Sequence, residues 1–200
     1  MMRFTLVVLL IAAVEAATEC PPGTTGPDGF TTFRLVPLQL RGGSDCAGCC
    51  TCHQIAEFRF KDMQGNQIAP VSVTNPGGYN NIGQEPIKLI DLDIYSKFLD
   101  ANTQPVEFAF SSGVSVISYE WVTANDVPAR DMISWRLDGK NFSTDGAWTT
   151  VHTVSTYGTT QSRSSVVGPF SVCMCNPGHT GPNGGPCSPC PSGTYKDSYG

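Results

Sequence analysis

The sequence predicts an all-β fold, an antiparallel sandwich followed by a small disulfide-rich C-terminal module, and three observations predict it. Between Thr31 and Val172 apolar residues recur at every second position: Phe33 and Leu35, Phe58 and Phe60, Val106 with Phe108 and Phe110, Ile133 with Trp135 and Leu137. A period of two turns one face of an extended strand toward a core. Chain breakers separate these runs, at Asn75-Pro76-Gly77-Gly78, Ser112-Gly113, Asp138-Gly139 and Asp145-Gly146, so reversals are frequent. Eight of the nine cysteines fall in two clusters, at 46–52 and 173–190, with Cys20 ahead of them. No long helical period competes; one helical turn is expected over Ile94 to Leu99. Such punctuation suits about eight strands in two packed sheets.

Each segment follows in order. Residues 1–17 read as a secretory signal peptide: Arg3 precedes an apolar run from Phe4 to Ala13, and Ala16 and Ala17 supply small residues at the cleavage point. The run stops at Glu15, short of the roughly 20 apolar residues that a membrane span needs. Residues 18–30 form a Cys/Gly/Pro-rich lead-in, 31–172 the sandwich, and 173–200 the start of a cysteine-rich repeat that breaks off at Gly200. We read the chain as the N-terminal part of a longer secreted or cell-surface protein. No later segment is apolar enough to span a bilayer. The net charge of −5, with 12 Lys and Arg thinly spread, provides no basic stripe, so nucleic acid is not an expected partner.

The stretches QIAEFRFKDMQGNQI, VSVTNPGG, KLIDLDIYSKFLD, VEFAF, YEWVTANDVPARDMISWRLDGKN and DGAWTTVHT resemble a discoidin-like, galactose-binding-like domain, the F5/8 type C jelly roll. The likeness covers about residues 31 to 172 and is most specific in the YEWVTANDVPARDMISWRLDGKN block. Phe98 stands where that family often has Trp, and a Cys-rich segment precedes Gln54. The tail CNPGHTGPNGGPCSPCPSGTYKD resembles ephrin-receptor-like, EGF-like or TNF-receptor-like cysteine repeats. There, crosslinks rather than a core hold Gly-rich loops.

An oxidising compartment makes disulfides the expected state of Cys20, Cys46, Cys49, Cys50, Cys52, Cys173, Cys175, Cys187 and Cys190. The resembled fold brings its ends together, which implies a Cys20–Cys173 clamp. Cys175 can pair with Cys187, leaving Cys190 for a residue beyond Gly200. In the quartet Cys46, Cys49, Cys50 and Cys52, a bond between neighbours would be strained, so Cys49 and Cys50 each reach one of the other two. The quartet with His53 also has ligand types for zinc, but its close spacing and exposure to oxidation favour two local disulfides.

The resemblance also implies a calcium ion, with Asp91 matching the family's binding loop and Asp93 and Ser96 adding oxygens suited to a hard cation. The competing reading has Asp91 and Asp93 capping a turn without metal. The loop NPGGYNNIGQEP combines an aromatic ring with amides, the ingredients of sugar recognition: Tyr79 as platform, and Asn80, Asn81 and Gln84 as hydrogen-bonding groups. Its plainer reading is a polar, turn-rich connection. Trp121, Trp135 and Trp148 fall within strand patterns and are expected in the core. No catalytic motif is recognisable, with His53, His152 and His179 in unrelated contexts and Asp126, Arg130 and Asp131 expected to pin a loop. An enzyme is therefore not expected. Asn141-Phe142-Ser143 is an N-glycosylation sequon.

Three functions fit these readings. The first is an extracellular carbohydrate- or glycoprotein-binding adhesion module, its partners glycans or glycoproteins. The second is a structural subunit of a filament or coat whose partners are other copies or subunits. The third is an accessory domain of an enzyme beyond Gly200. A shared fold does not choose among them.

Overall fold

In the computed structural model, residues 24–25, 29–43, 51–141, 147–172, 174–175, 178–180 and 188–194 are described. The strands in chain order are β1 (Thr24–Thr25), β2 (Phe30–Leu40), β3 (His53–Ile55), β4 (Glu57–Lys61), β5 (Gln67–Ile68), β6 (Ser72–Thr74), β7 (Phe98–Asp100) and β8 (Val106–Val114). They continue with β9 (Ser118–Val122), β10 (Met132–Lys140), β11 (Thr149–Val154), β12 (Val166–Ser171), β13 (Met174–Cys175), β14 (His179–Thr180) and β15 (Ser188–Pro189). Short 3-10 turns occupy Pro86–Leu89 and Pro128–Arg130. The first lies upstream of the turn expected over Ile94 to Leu99, because Pro86 at its first position fixes φ and lacks the amide that would go unpaired there. The expected segment instead carries one β-turn, closed by the Ser96 amide donating to the Asp93 carbonyl at 3.0 Å, and enters β7.

Two antiparallel sheets form the sandwich, one ordered β11-β10-β2-β8-β6 and the other β12-β9-β4-β5. The chain crosses repeatedly from one sheet to the other: β2 in one, β4 and β5 in the other, β6 and β8 back in the first, then β9, then β10 with β11, then β12. A separate ribbon pairs β3 with β7, His53 opposite Asp100 and Ile55 opposite Phe98. Strand β1 pairs with β13, Thr24 opposite Cys175, so both ends of the sandwich meet. The expected Cys20–Cys173 clamp falls outside the described residues, as do Cys46, Cys49, Cys50 and Cys187.

The alternating apolar positions face inward, except that the irregular register between Met132 and Ser134 buries Met132 and leaves Ile133 only partly covered. Phe33, Leu35, Phe58, Phe60, Val106, Phe108, Trp121, Trp135 and Leu137 are all fully buried in one cluster. Phe58 stacks on Phe108 at 4.9 Å and on Tyr119 at 5.4 Å, so rings from both sheets interleave. Burying each large side chain contributes about 1.5–3 kcal/mol. Trp135 meets Trp121 edge-on at 5.8 Å and donates from Nε1 to the Tyr119 hydroxyl at 2.7 Å, which satisfies its one donor in the interior.

Trp148 departs from the core assignment. A bulge between Leu137 and Asp138 shifts the β10–β11 register, so Val151 rather than Trp148 fills the interior. Trp148 precedes β11 and lies half-exposed under two cations, with the Arg34 guanidinium and the Lys140 ammonium each 4.4 Å from its ring centre. Among the described residues, no helix is long and apolar enough to cross a membrane.

Candidate functional site

The loop from Asn75 to Gln84 runs beside β7 and is fastened to it through one buried carboxylate. Asp100 accepts hydrogen bonds from the Tyr79 amide (2.8 Å), the Asn102 amide (2.9 Å), the Gln104 amide (2.6 Å) and the Asn75 side chain (3.3 Å). Burial opposes its charge, but the Asn102, Tyr79 and Gln104 amides outweigh burial and hold the carboxyl below the ordinary Asp range. Backbone bonds from Leu99 to the Gln84 carbonyl and from Ala101 to the Tyr79 carbonyl complete the attachment. A rigid base therefore presents the loop.

On that base Tyr79 is 62% exposed, an aromatic ring open to solvent. Asn81 and Gln84 face each other at 3.4 Å, leaving donors and acceptors for an outside partner. Asn80 is committed inward: its amide donates to the Leu99 carbonyl at 2.9 Å and to Asn75 Oδ1 at 3.2 Å. It shapes the loop, so the group able to meet a ligand reduces to Tyr79, Asn81 and Gln84. A hollow of about 350 Å³, lined by Leu38, Leu40, Thr51, Asn102 and Thr103, borders the adjoining 100–104 turn.

The loop from Lys88 to Ser96 places Asp91 against Glu57. Asp91 accepts from the Asp93 amide (3.0 Å), Lys88 Nζ (3.1 Å) and the Ser96 hydroxyl (2.9 Å). Burial works against its charge, yet those donors keep its carboxyl below the usual range. Glu57, at the start of β4, is fully buried against Asp91, with the Leu92 amide approaching it but no cationic side chain closing on either oxygen among the described residues. Arg59 approaches only to 4.0 Å. Burial, reinforced by the Asp91 carboxyl, pushes Glu57 up to about 7. Such a group is at ease only with a proton shared with Asp91 or with a cation beside it.

This answers the calcium expectation residue by residue. Asp91 and Ser96 are brought together with the buried Glu57, a donor set of hard oxygens. The Asp93 carboxylate is exposed and accepts from the Tyr95 amide at 2.9 Å, so its side chain caps the turn. Among the described residues no three His, Cys, Asp or Glu side chains cluster for a metal. A cation here would take two carboxylates and the Ser96 hydroxyl, with main-chain oxygens or water making up the rest. Leu92, exposed at φ 64 between the two Asp residues, shows the tight backbone this loop adopts. Glu57 escaped the sequence reading because it occupies an outward position of the alternating run Glu57–Lys61, a place usually given to solvent.

Asp131 anchors a third loop. Arg163 grips it with two bonds of 2.9 and 2.5 Å, and Arg41 stands 3.7 Å away. Burial pushes the Asp131 carboxyl up, with Arg163 and then Arg41 opposing. Arg41 also donates to the carbonyls of Pro128, Thr159 and Thr160, and Arg163 to those of Ala124 and Asp126. Within this loop Val127 is held at φ 34, a conformation β-branched residues avoid, and Gln54 donates to its carbonyl at 3.1 Å. These contacts pin the loop through Asp131 and the Asp126 carbonyl, but the arginines that do so are Arg163 and Arg41; the expected Arg130 leaves its Nε without a partner among the described residues.

His152 is half-buried, its Nδ1 3.0 Å from the Tyr119 hydroxyl; desolvation lowers its pKa. Tyr119 already accepts from Trp135, so its own proton goes to His152, which must be neutral with its hydrogen on Nε2. His179 lies in the β14–β15 hairpin. Cys52 is disulfide-bonded, Cys190 carries a free thiol, and Asn141 of the sequon is half-buried. Compared with known proteins, the chain matches no family model, no curated protein and no solved structure.

Proposed function

We propose that this chain is an extracellular binding module that recognises a carbohydrate, free or on a glycoprotein, through the loop from Tyr79 to Gln84. The observation that carries this reading is an exposed aromatic ring on a loop whose backbone is locked by Asp100. A sugar ring offers an apolar face to Tyr79 and hydroxyls to Asn81 and Gln84, and a loop fixed beforehand loses little entropy on binding. The role is recognition rather than catalysis, since the buried carboxylates serve as anchors. Calcium is the proposed resident ion at Glu57, Asp91 and Ser96. Its part is structural: it would neutralise the interior carboxyl pair and fix the 88–96 loop.

A glycan array probed with the oxidised chain tests the reading. The expected result is selective binding that disappears on Tyr79→Ala while the thermal midpoint stays within about 2 °C, because an exposed side chain carries little stability. Binding retained by Tyr79→Ala would place recognition elsewhere. A folded chain that captures no glycan and self-assembles at micromolar concentration would favour the structural-subunit reading.

A further inference from the structure

The ribbon that carries the ligand loop contains an unusual buried base. His53 is fully buried on β3, and neither ring nitrogen has a hydrogen-bond partner among the described residues. Its ring packs edge-on against Phe98 at 5.1 Å. Directly across the ribbon from it stands Asp100, the residue whose carboxylate holds the amides of Tyr79, Asn102 and Gln104. A buried neutral imidazole tolerates this site. A buried imidazolium does not, because it would bring two unsatisfied donors into a dry contact.

We propose that His53 and Asp100 form an acid-sensitive latch, in which protonation of His53 draws the Asp100 carboxylate away from the loop amides and releases the Tyr79–Gln84 loop. The proposal rests on the sugar-binding reading for what is released, not for the movement itself. Asp100 is the charge that His53 feels. The other charged groups nearby are engaged elsewhere: Lys88, on the 3-10 turn packed against β7, pairs with Asp91, and Lys97 pairs with Asp126. The neighbouring Cys52 is disulfide-bonded and does not titrate. The ladder joining the two strands is only three residues long on each side, while Ile55 and Phe98 stay anchored in the core, so the movement is confined to the amides that Asp100 holds and the loop they fasten.

The direction follows from linkage. Desolvation lowers the closed-state His53 pKa to about 4, against 6.5 for an open, solvated ring. Above 6.5 both states are neutral and the latch is at full strength. As pH falls below 6.5 the open state binds the proton first, so opening gains population until about pH 4. Between pH 7.5 and 5 the opening constant rises about 30-fold.

Hydrogen exchange of the full, oxidised chain reads this out. After correction for intrinsic exchange, amides of 79–84 and 98–104 should lose about 30-fold protection between pH 7.5 and 5, while β10 amides hold theirs. His53→Leu should abolish the loss, and Asp100→Asn should leave the loop poorly protected at both pH values. The wild-type His53 ring, followed by NMR, should titrate well below 6.5. Equal acid loss in wild type and His53→Leu, or no loss in wild type, would overturn the latch. Glycan binding plays no part in this readout, so failure of the sugar reading would leave the exchange result standing.

Discussion

Replacing Glu57 by Gln should stabilise the calcium-free chain at alkaline pH and at the same time abolish its response to calcium. Glu57 is raised from 4.5 to about 7 in the folded chain. A raised carboxyl favours the fold fully below about pH 4.5, and that contribution is lost as pH climbs through 7. At pH 8 the ion sits buried beside Asp91, a penalty of about 3 kcal/mol at the usual conversion of one pKa step. Gln removes the charge, keeps the shape, and can donate its amide to Asp91. For a domain of this size each kcal/mol moves Tm by roughly 2–4 °C, so calcium-free Glu57→Gln should melt about 5–10 °C above wild type at pH 8 and close to it at pH 4.5. Calcium at about 100 times its Kd should stabilise wild type by about 2.7 kcal/mol and leave Glu57→Gln where it was. Scanning calorimetry with chelator or calcium at both pH values makes the comparison. A calcium-free variant less stable than wild type at pH 8, or an undiminished calcium shift in the variant, would refute the reasoning.

Trp135→Ala should cost about 3–5 kcal/mol, since it empties a fully buried ring site and removes the donor that Tyr119 accepts from; urea unfolding with disulfides intact measures it, and a loss below about 1 kcal/mol would mean the ring is not packed as described. Asp131→Ala should cost about 3–5 kcal/mol because it leaves Arg163 and Arg41 facing a vacated interior site, and its signature is faster hydrogen exchange across residues 123–131. Calcium uptake near pH 6 should release a proton as Glu57 ionises, seen as a calorimetric heat that changes with the ionisation enthalpy of the buffer.

What was legible in the sequence is what local periodicity encodes. The pairs Phe33 and Leu35, Phe58 and Phe60, and Phe108 and Phe110 show their inward face in the order of residues alone, and the structure buries all six. Trp148 was misplaced because the bulge at Leu137 and Asp138 inserts a residue into the pattern, and a bulge has no periodic signature. The β3–β7 ribbon, three residues on each side, is too short for alternation to register. Glu57 and Asn80 were opaque for a different reason. Their burial and bonding come from partners distant in sequence: the 88–96 loop folds over β4, and Leu99 meets Asn80 across the ribbon. Tyr79 was readable because an aromatic among Asn, Gly and Pro has no strand in which to hide.

The most direct measurement of the recognition claim is an amide chemical-shift map of the calcium-loaded chain, recorded while the strongest glycan from an array is titrated in. Recognition by the proposed loop predicts shifts concentrated at Tyr79, Asn81 and Gln84, with the β10 and β2 amides unmoved. Shifts centred on another surface, such as the Arg34, Lys140 and Trp148 face, would contradict it.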